Sequence, residues 1–268
     1  MCSQEDLYFR NLDGSGTSFL EVRPDTGTLT SRARLTKASQ AGGMILQEFQ
    51  MEILAGSQRV YAGKTGFGFF PSAALAQQVG VRGARLAELA QPRHAFDLPR
   101  LAPLTPKAAA GFEIPPGLAL SARAFSVVDR IDALTLDGGA HGKGFIAGAK
   151  TIEPNEWFFA AHFYQDPVMP GSLGLEALLQ LMKVFALERF GKCIDSHRFQ
   201  TTALGHEHRW QYRGQVVPTN GEVQVQATFT QVVDGPEPLL IADGQLAVDG
   251  RVIYTMKNFA LRLVPGDR

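Results

Sequence analysis

The sequence feature that most constrains the fold is the run from Ser172 to Phe190, which reads SLGLEALLQLMKVFALERF. Its apolar residues fall on nearly every side of a helix, and a helix of this kind has to be enclosed by other elements. With one glutamine and several charged residues inside about 18 positions, it is a poor membrane span. The run therefore predicts one buried helix wrapped by the rest of the chain. We expect Ser172 to cap its start and Gly191 to end it in the left-handed conformation.

Three groups around the start of this helix have catalytic potential. Glu176 falls in the first two turns, where a buried carboxylate is costly unless it is paired; it is either structural, favoured by the helix dipole, or a reactive acid. Taken alone, His162 is typical of a packed or surface histidine. The N–H groups of Gly171 and Ser172 would point out of the helix start, where they could hold a carbonyl oxygen that gains negative charge. Together the imidazole, the carboxyl and the N–H donors indicate proton chemistry next to a carbonyl.

The segment that carries these groups, residues 162–180, reads HFYQDPVMPGSLGLEALLQ. It closely resembles the active-site segment of the beta-hydroxydecanoyl-carrier-protein dehydratase family, and is most similar to the dehydratase domains of polyunsaturated fatty acid synthases. Four further phrases resemble the same pattern: Tyr8–Gly14, Phe67–Phe70, Pro154–Phe159 and Tyr212–Pro218. The resemblance covers most of the chain and is most specific across residues 154–180.

This resemblance implies an α+β hot-dog fold, here a double hot-dog, in which a curled antiparallel sheet wraps one long central helix. The implied reaction is dehydration of a β-hydroxyacyl thioester on an acyl carrier protein to the trans-2-enoyl thioester, with no cofactor and no metal. By position, His162 resembles the base, Glu176 the acid, and the Gly171 N–H the donor to the thioester oxygen. Val168 and Gln180 lie in the same segment and are expected to bind substrate. The family usually has aspartate at the position of Glu176, which leaves open whether the chain also isomerises the double bond.

In the family, the histidine and the acid of one site come from two hot-dog units that pack together. This chain has one of each in a single unit, so we expect either a homodimer or a partial site. Two other functions stay open: a hot-dog acyl thioesterase, and a non-catalytic module that docks a carrier protein within a larger synthase.

Composition and charge exclude several classes of protein. The chain is 45% hydrophobic and 19% charged, which is typical of a globular protein. Lys and Arg number 26 and so do Asp and Glu, so no strong field favours nucleic acid or a membrane surface. Cys2 and Cys193 are too few for a disulfide framework. With no visible secretory signal and no apolar run of membrane length, we expect a cytoplasmic protein.

The remainder of the chain reads mostly as strands. Residues 1–20 look turn-rich, and three strands are expected near 27–35, at Met44–Leu54 and at Arg59–Phe70, with Gly56 in a turn, as an antiparallel meander. Residues 27–46 resemble residues 221–240 at a constant offset, which indicates either a duplicated hot-dog unit or chance similarity of two sheet segments.

On this reading the chain has three parts. Residues 1–75 form an N-terminal partial or degenerate hot-dog unit, 76–120 a proline-rich linker, and 121–268 the complete catalytic unit, with a lead strand at Phe125–Leu136. The first unit has no helix and no histidine motif, so either the chain is part of a longer multidomain synthase or its first half only supports the second.

Four local predictions complete the picture. Short helices are expected at Ser72–Gln78 and Arg82–Leu89. A glycine-rich turn at 138–144 should precede a strand at Phe145–Ala149. His206, Glu207 and His208 are interpreted as a polar strand edge, because no further ligands with a known spacing accompany them.

Overall fold

The computed structural model describes residues 6–89, 126–193 and 196–266, and in these ranges eleven strands form one antiparallel sheet. The strands are β1 (Leu7–Ser18), β2 (Leu29–Ala41), β3 (Met44–Ala55), β4 (Gln58–Pro71), β5 (Arg130–Thr135), β6 (Phe145–Thr151), β7 (His197–Thr201), β8 (Glu207–Tyr212), β9 (Glu222–Val233), β10 (Leu239–Val248) and β11 (Arg251–Pro265). The helices are α1 (Ser72–Ala76), α2 (Trp157–Ala161) and α3 (Gly171–Arg189), and a 3-10 turn follows at Gly191–Cys193. The order across the sheet is β2-β3-β4-β1-β8-β11-β10-β9-β6-β5, with β7 beside β11.

The centre of the fold is α3, which packs against β6, β9, β10 and β11. Two glycines allow the close approach of helix and sheet. A Cβ at Gly174 would come within 2.9 Å of the Tyr254 ring, and one at Gly244 within 2.7 Å of Leu178. The predicted buried helix and the hot-dog arrangement of sheet around helix are therefore confirmed.

Both ends of α3 differ from the prediction. The helix begins at Gly171 with Pro170 as its N-cap and no side-chain cap, so the predicted Ser172 cap is wrong. Pro170 suits this position because it has no N–H that would need a partner. The helix ends at Arg189 with Phe190 as C-cap, and Gly191 opens the 3-10 turn instead of taking a left-handed conformation.

In the N-terminal half, the predicted meander of β2, β3 and β4 is confirmed, and Gly56 turns with φ +58°. The expectation of turns in residues 1–20 is wrong, because β1 is a 12-residue strand. Its glycines, Asn11 and Asp13 have low strand propensity, but β1 pairs with β4 on one side and β8 on the other. Long-range pairing therefore decides the structure. Glycine at position 16 lets Tyr61 lie over β1, since a Cβ there would fall 1.7 Å from the tyrosine hydroxyl oxygen.

The connecting segments bear out some predictions and correct others. The first short helix is confirmed, although it ends at Ala76. Arg82–Leu89 contains no helix: the Gln226 side chain accepts from the Ala87 N–H (2.8 Å) and donates to the Ala87 carbonyl (3.0 Å), which holds this segment against β9. Residues 90–120 of the predicted linker lie outside the described residues, as does Phe125. The predicted lead strand is shorter than expected: residues 126–129 are not in a strand, and β5 runs from Arg130 to Thr135.

The predictions for the glycine-rich turn and for residues 206–208 have different outcomes. The turn is confirmed, with positive φ at Gly139, Gly142 and Gly144, and β6 follows it. The strand-edge interpretation of His206 to His208 is wrong, because β1 covers the flank of β8 that the sequence left open. His208 is consequently only 7% exposed.

Within the described ranges, no helix is both long and apolar enough to cross a membrane. In the same ranges, no three histidine, cysteine or acidic side chains cluster closely enough to hold a metal ion.

Candidate active site

His162 lies directly after α2, in the loop that leads to α3. Its Nδ1 is 2.9 Å from the Val168 carbonyl oxygen, and the Val168 N–H donates to the His162 carbonyl at 2.9 Å. A carbonyl oxygen only accepts hydrogen bonds, so Nδ1 must carry the ring proton in the neutral imidazole. The lone pair of the ring is therefore on Nε2, the nitrogen that can act as a base.

This loop opens onto a cavity of about 570 Å³ between β1, β4, β8, β11 and the start of α3. The volume is in the range of small-molecule sites. Three of the predicted site residues, His162, Val168 and Gly171, line this cavity together. A large share of its wall is aromatic, contributed by Phe9, Tyr61, Phe67, Phe163, Trp210, Tyr212, Tyr254 and Phe259.

The start of α3 forms one polar side of the cavity. Gly171 and Ser172 both line it, and the first N–H groups of a helix have no partner inside the helix. A Cβ built on Gly171 would meet nothing within 4 Å, so the backbone here is open to a ligand. The arrangement suits an oxygen that gains negative charge.

Glu176 and Gln180 are placed differently. One carboxylate oxygen of Glu176 accepts from Lys183 Nζ and from Gln180 Nε2, both at 3.2 Å, and the side-chain oxygen of Gln180, Oε1, accepts from the Val127 N–H at 3.0 Å. Lys183 is nearly buried, with 9% of its side chain exposed. Neither Glu176 nor Gln180 is among the described residues that line the cavity. The structure thus brings together His162, Val168 and Gly171, and holds Glu176 and Gln180 in a separate cluster along α3.

The sequence reasoning missed a guanidinium in the cavity wall. Arg10, from β1, makes a bidentate ion pair with Asp166 of the histidine loop, at 2.5 and 2.9 Å. Its Nε donates to Gln215 Oε1 at 2.6 Å. Arg10, Asp166 and Gln215 all fall inside phrases that carried the family resemblance, and this was the signal that could have identified them.

A second missed group is the pair of Tyr61 and His208, which also line the cavity. The Tyr61 hydroxyl lies 3.4 Å from His208 Nε2. Burial lowers the pKa of His208 and raises the pKa of Tyr61, so burial favours the neutral form of both groups. Burial likewise raises the pKa values of Tyr212 and Tyr254. This wall of the cavity is therefore polar but uncharged.

A sheet curled around one long helix is characteristic of hot-dog proteins. The sequence model of the FabA-like domain family matches residues 120–257, and the chain belongs to this family.

Two further comparisons bear on the family and on the fold. The chain is 30% identical to a polyunsaturated fatty acid synthase protein of Thraustochytrium sp. (strain ATCC 26185 / S-3), an alignment that covers 98% of this chain and 18% of that protein. The chain thus spans under a fifth of the length of that relative. Among solved structures, the tesB protein of Mycobacterium avium subs paratuberculosis matches with a TM-score of 0.50 and 11% identity, over 99% of this chain and 81% of that one. At such low identity the match shows the fold alone. The resemblance found in the sequence is confirmed.

Proposed function

We propose that this chain is a dehydratase that converts β-hydroxyacyl thioesters, carried on acyl carrier protein, into trans-2-enoyl thioesters in the synthesis of fatty acids, including polyunsaturated ones. The observation that carries the proposal is the geometry of His162. Its Nδ1 is occupied by the Val168 carbonyl, its Nε2 is available as a base, and it shares an aromatic cavity with the start of α3.

The proposed reaction starts at the carbon next to the thioester carbonyl. His162 Nε2 removes a proton from this carbon, and the electron pair moves onto the thioester oxygen, which the Gly171 N–H stabilises. The carbonyl then re-forms, the carbon–carbon double bond forms, and the bond from the β-carbon to its hydroxyl breaks. Val168 holds the base in one tautomer, and the aromatic wall accommodates the acyl chain. No step requires a cofactor.

The departing hydroxyl needs a proton to leave as water. Within one chain the carboxylate of Glu176 is bound to Lys183 and Gln180, apart from the residues that line the cavity. We therefore propose that Glu176 serves as the acid in a homodimer, where it would act with His162 of a second copy. Gln180 would orient this carboxyl, since its side chain already donates to it at 3.2 Å.

The base is tested by turnover of a β-hydroxyacyl thioester, followed by the absorbance of the conjugated product. His162→Gln is expected to lower kcat by about 10²- to 10⁴-fold, the usual contribution of a general base. His141→Gln, in the exposed glycine-rich turn, is the matched control and should keep wild-type turnover. Equal turnover by His162→Gln and wild type would contradict the proposal, and release of free thiol instead of water would assign a thioesterase.

The shared site is tested by co-expressing His162→Ala with Glu176→Gln. If sites form between copies, the mixture contains dimers with one intact pair of His162 and Glu176, and part of the activity returns although each variant alone is inactive. If the fully active protein sediments as a monomer, the proposed dimer is ruled out.

The same proposal includes the setting of the reaction. We also propose that this chain acts in the cytoplasm as one domain of a larger synthase. The second part is supported by the length of the synthase protein that it resembles, which is far longer than this chain. If carrier protein binds but no turnover follows, the chain is a docking module and not an enzyme.

A further inference from the structure

The guanidinium of Arg10 joins three separate parts of the molecule. It projects from β1 in the N-terminal half, where only 6% of the residue is exposed. Two of its nitrogens bind the two carboxylate oxygens of Asp166, and Nε binds Gln215 in the segment after β8. Nη1 also donates to its own neighbour, the Phe9 carbonyl, at 2.7 Å. A bidentate, charge-assisted arrangement of this kind fixes direction as well as distance.

Asp166 belongs to a tight turn that starts next to His162. Phe163 and Asp166 exchange two backbone hydrogen bonds, at 2.9 and 3.2 Å. Two residues later, the Val168 backbone binds His162 through both its N–H and its carbonyl. The carboxylate that Arg10 holds is thus built into the loop that sets the orientation of the imidazole.

An apolar contact reinforces this link. The Phe163 ring packs edge-on against Phe9 of β1, with the centroids 5.9 Å apart, and Phe9 stacks on Phe67 of β4 at 4.9 Å. The loop therefore rests on the N-terminal half at two neighbouring points, one charged and one aromatic. Phe9 and Arg10 are consecutive residues of β1, and they contact the two ends of the same turn, Phe163 and Asp166.

We infer that Arg10 is a positioning residue for His162, and that the N-terminal half thereby completes a site whose base lies in the other half. The inference rests on the proposed function for its effect on turnover. It goes beyond that function because it gives residues 7–71 a specific task in the reaction. Lysine could not replace Arg10, since a single ammonium lacks the two parallel N–H donors that match a carboxylate.

The test compares Arg10→Lys and Asp166→Asn with wild type. Because a shift of about 1 Å in a reacting group costs on the order of 10²-fold, we expect kcat to fall by about 10- to 100-fold in both variants. KM should change by less than about threefold, since uniform substrate binding is retained. Asp166→Asn keeps the shape of the side chain and serves if Arg10→Lys does not fold.

Arg198→Lys is the matched control. Arg198, in β7, also makes a bidentate pair with a carboxylate of the N-terminal half, that of Glu21, with Nη2 to Oε2 at 2.8 Å. Neither Arg198 nor Glu21 is among the described residues that line the cavity. This variant should keep wild-type kcat even if its melting temperature falls. Equal losses of kcat in Arg198→Lys and Arg10→Lys would overturn the inference, because the ion pair would then be one structural link among others.

A second readout does not depend on turnover. The ¹⁵N signals of the His162 ring, assigned with His162→Gln, should show a single Nδ1–H tautomer in wild type and in Arg198→Lys, and a mixture in Arg10→Lys. If the tautomers mix but wild type does not dehydrate hydroxyacyl thioesters, positioning stands and the proposed function fails. An unchanged tautomer with unchanged kcat in Arg10→Lys would overturn the inference.

Discussion

Outward from the β1–β8 pair, the first four strands of each half of the sheet follow the same order, but the interiors of the two halves are very different. In the C-terminal half, β6, β9, β10 and β11 pack against α3, and the main cluster of buried apolar side chains lies entirely between Val127 and Leu263. In the N-terminal half, β1 to β4 follow the same order outward from the β1–β8 pair. Among residues 6–89, however, Leu54 and Val60 are the only large apolar side chains that are buried.

One row of paired residues across the sheet makes the contrast visible. Directly paired residues share a face, and this row begins at Leu35 in β2, which is 49% exposed, and reaches Ile146 in β6, which is fully buried. The row runs Leu35, Phe49, Thr65, Gly14, Trp210, Met256, Gly244, Ala227, Ile146. The face that α3 covers in one half is thus uncovered by any described helix in the other. The N-terminal strands are held by pairing with β8 and by contacts with the histidine loop, rather than by a core of their own.

The largest expected effect tests the core of the C-terminal half. Leu178→Ala removes a fully buried side chain that fits against Gly244. We expect the free energy of unfolding to fall by about 2–5 kcal/mol, because such changes lose burial and leave a cavity. Urea denaturation followed by fluorescence measures this value. A loss below about 1 kcal/mol would mean that α3 is not the centre of the stable unit.

The next prediction concerns the junction of β4 and β1. A Cβ at Gly63 would fall 2.3 Å from the Ser15 carbonyl oxygen and 2.9 Å from the Gly16 Cα, and neither backbone atom can move away easily. Gly63→Ala should therefore destabilise the protein by about 1–3 kcal/mol. In Gly66→Ala, the control on the same strand, the nearest atom is a side-chain oxygen of Asp13 at 3.2 Å, so the loss should be smaller. Equal losses would show that close packing at this junction is not what distinguishes Gly63.

A third prediction uses the polar wall between the halves. Burial lowers the pKa of His208 from its ordinary value of 6.5. His208 is therefore protonated less readily in the folded state than in the unfolded chain. As pH falls below about 6.5, protonation of the unfolded chain favours unfolding, and stability is lost until pH passes the lower pKa of the folded state. In His208→Gln the loss of unfolding free energy between pH 7.5 and 5.5 should be smaller than in wild type. Part of the loss should remain, because burial also lowers the pKa of His206.

The measurement is a series of urea denaturations across that range, with His141→Gln as the control. His141 is exposed, and its variant should follow wild type. If the unfolding free energy of His208→Gln falls with pH as much as that of wild type, the junction between the halves does not disfavour protonation of His208.

The smallest effect is expected on the uncovered face of the N-terminal half. Leu35→Ser should change the free energy of unfolding by less than about 0.5 kcal/mol, as usual for exposed positions. Differential scanning calorimetry of the variant beside Leu178→Ala gives the comparison directly. A loss comparable to that of Leu178→Ala would show that another element covers this face in solution.

The sequence alone predicted what depends on local pattern. The all-round apolar run identified the central helix, and alternation with turn glycines located β2, β3 and β4. The prediction from the sequence failed for β1, because the strand is rich in glycine and its structure depends on partners distant in the chain. It failed for Arg82–Leu89 for a related reason: the Gln226 side chain, far away in sequence, holds the backbone at Ala87.

The site, like the fold, was predicted from the sequence only where it depends on neighbouring residues. The segment from His162 to Gly171 is contiguous, so its grouping followed from local order and from the family resemblance. That Glu176 binds Lys183 and not the cavity depends on which side of α3 each side chain occupies, and an all-round apolar helix gives no indication of this. The bond between Arg10 and Asp166 joins residues 156 positions apart, beyond the reach of pattern reasoning.

The hydrogen bond between the His162 ring and the Val168 carbonyl limits the path of the transferred hydrogen. While one ring nitrogen is engaged in this hydrogen bond, the imidazole cannot pass a proton through itself to water on its far side. A hydrogen taken from the substrate has to depart from the nitrogen at which it arrived, inside the cavity. In deuterated water, the substrate recovered before completion should then gain deuterium next to the thioester carbonyl only slowly relative to elimination. The rate of this exchange would depend on how often the cavity opens to solvent.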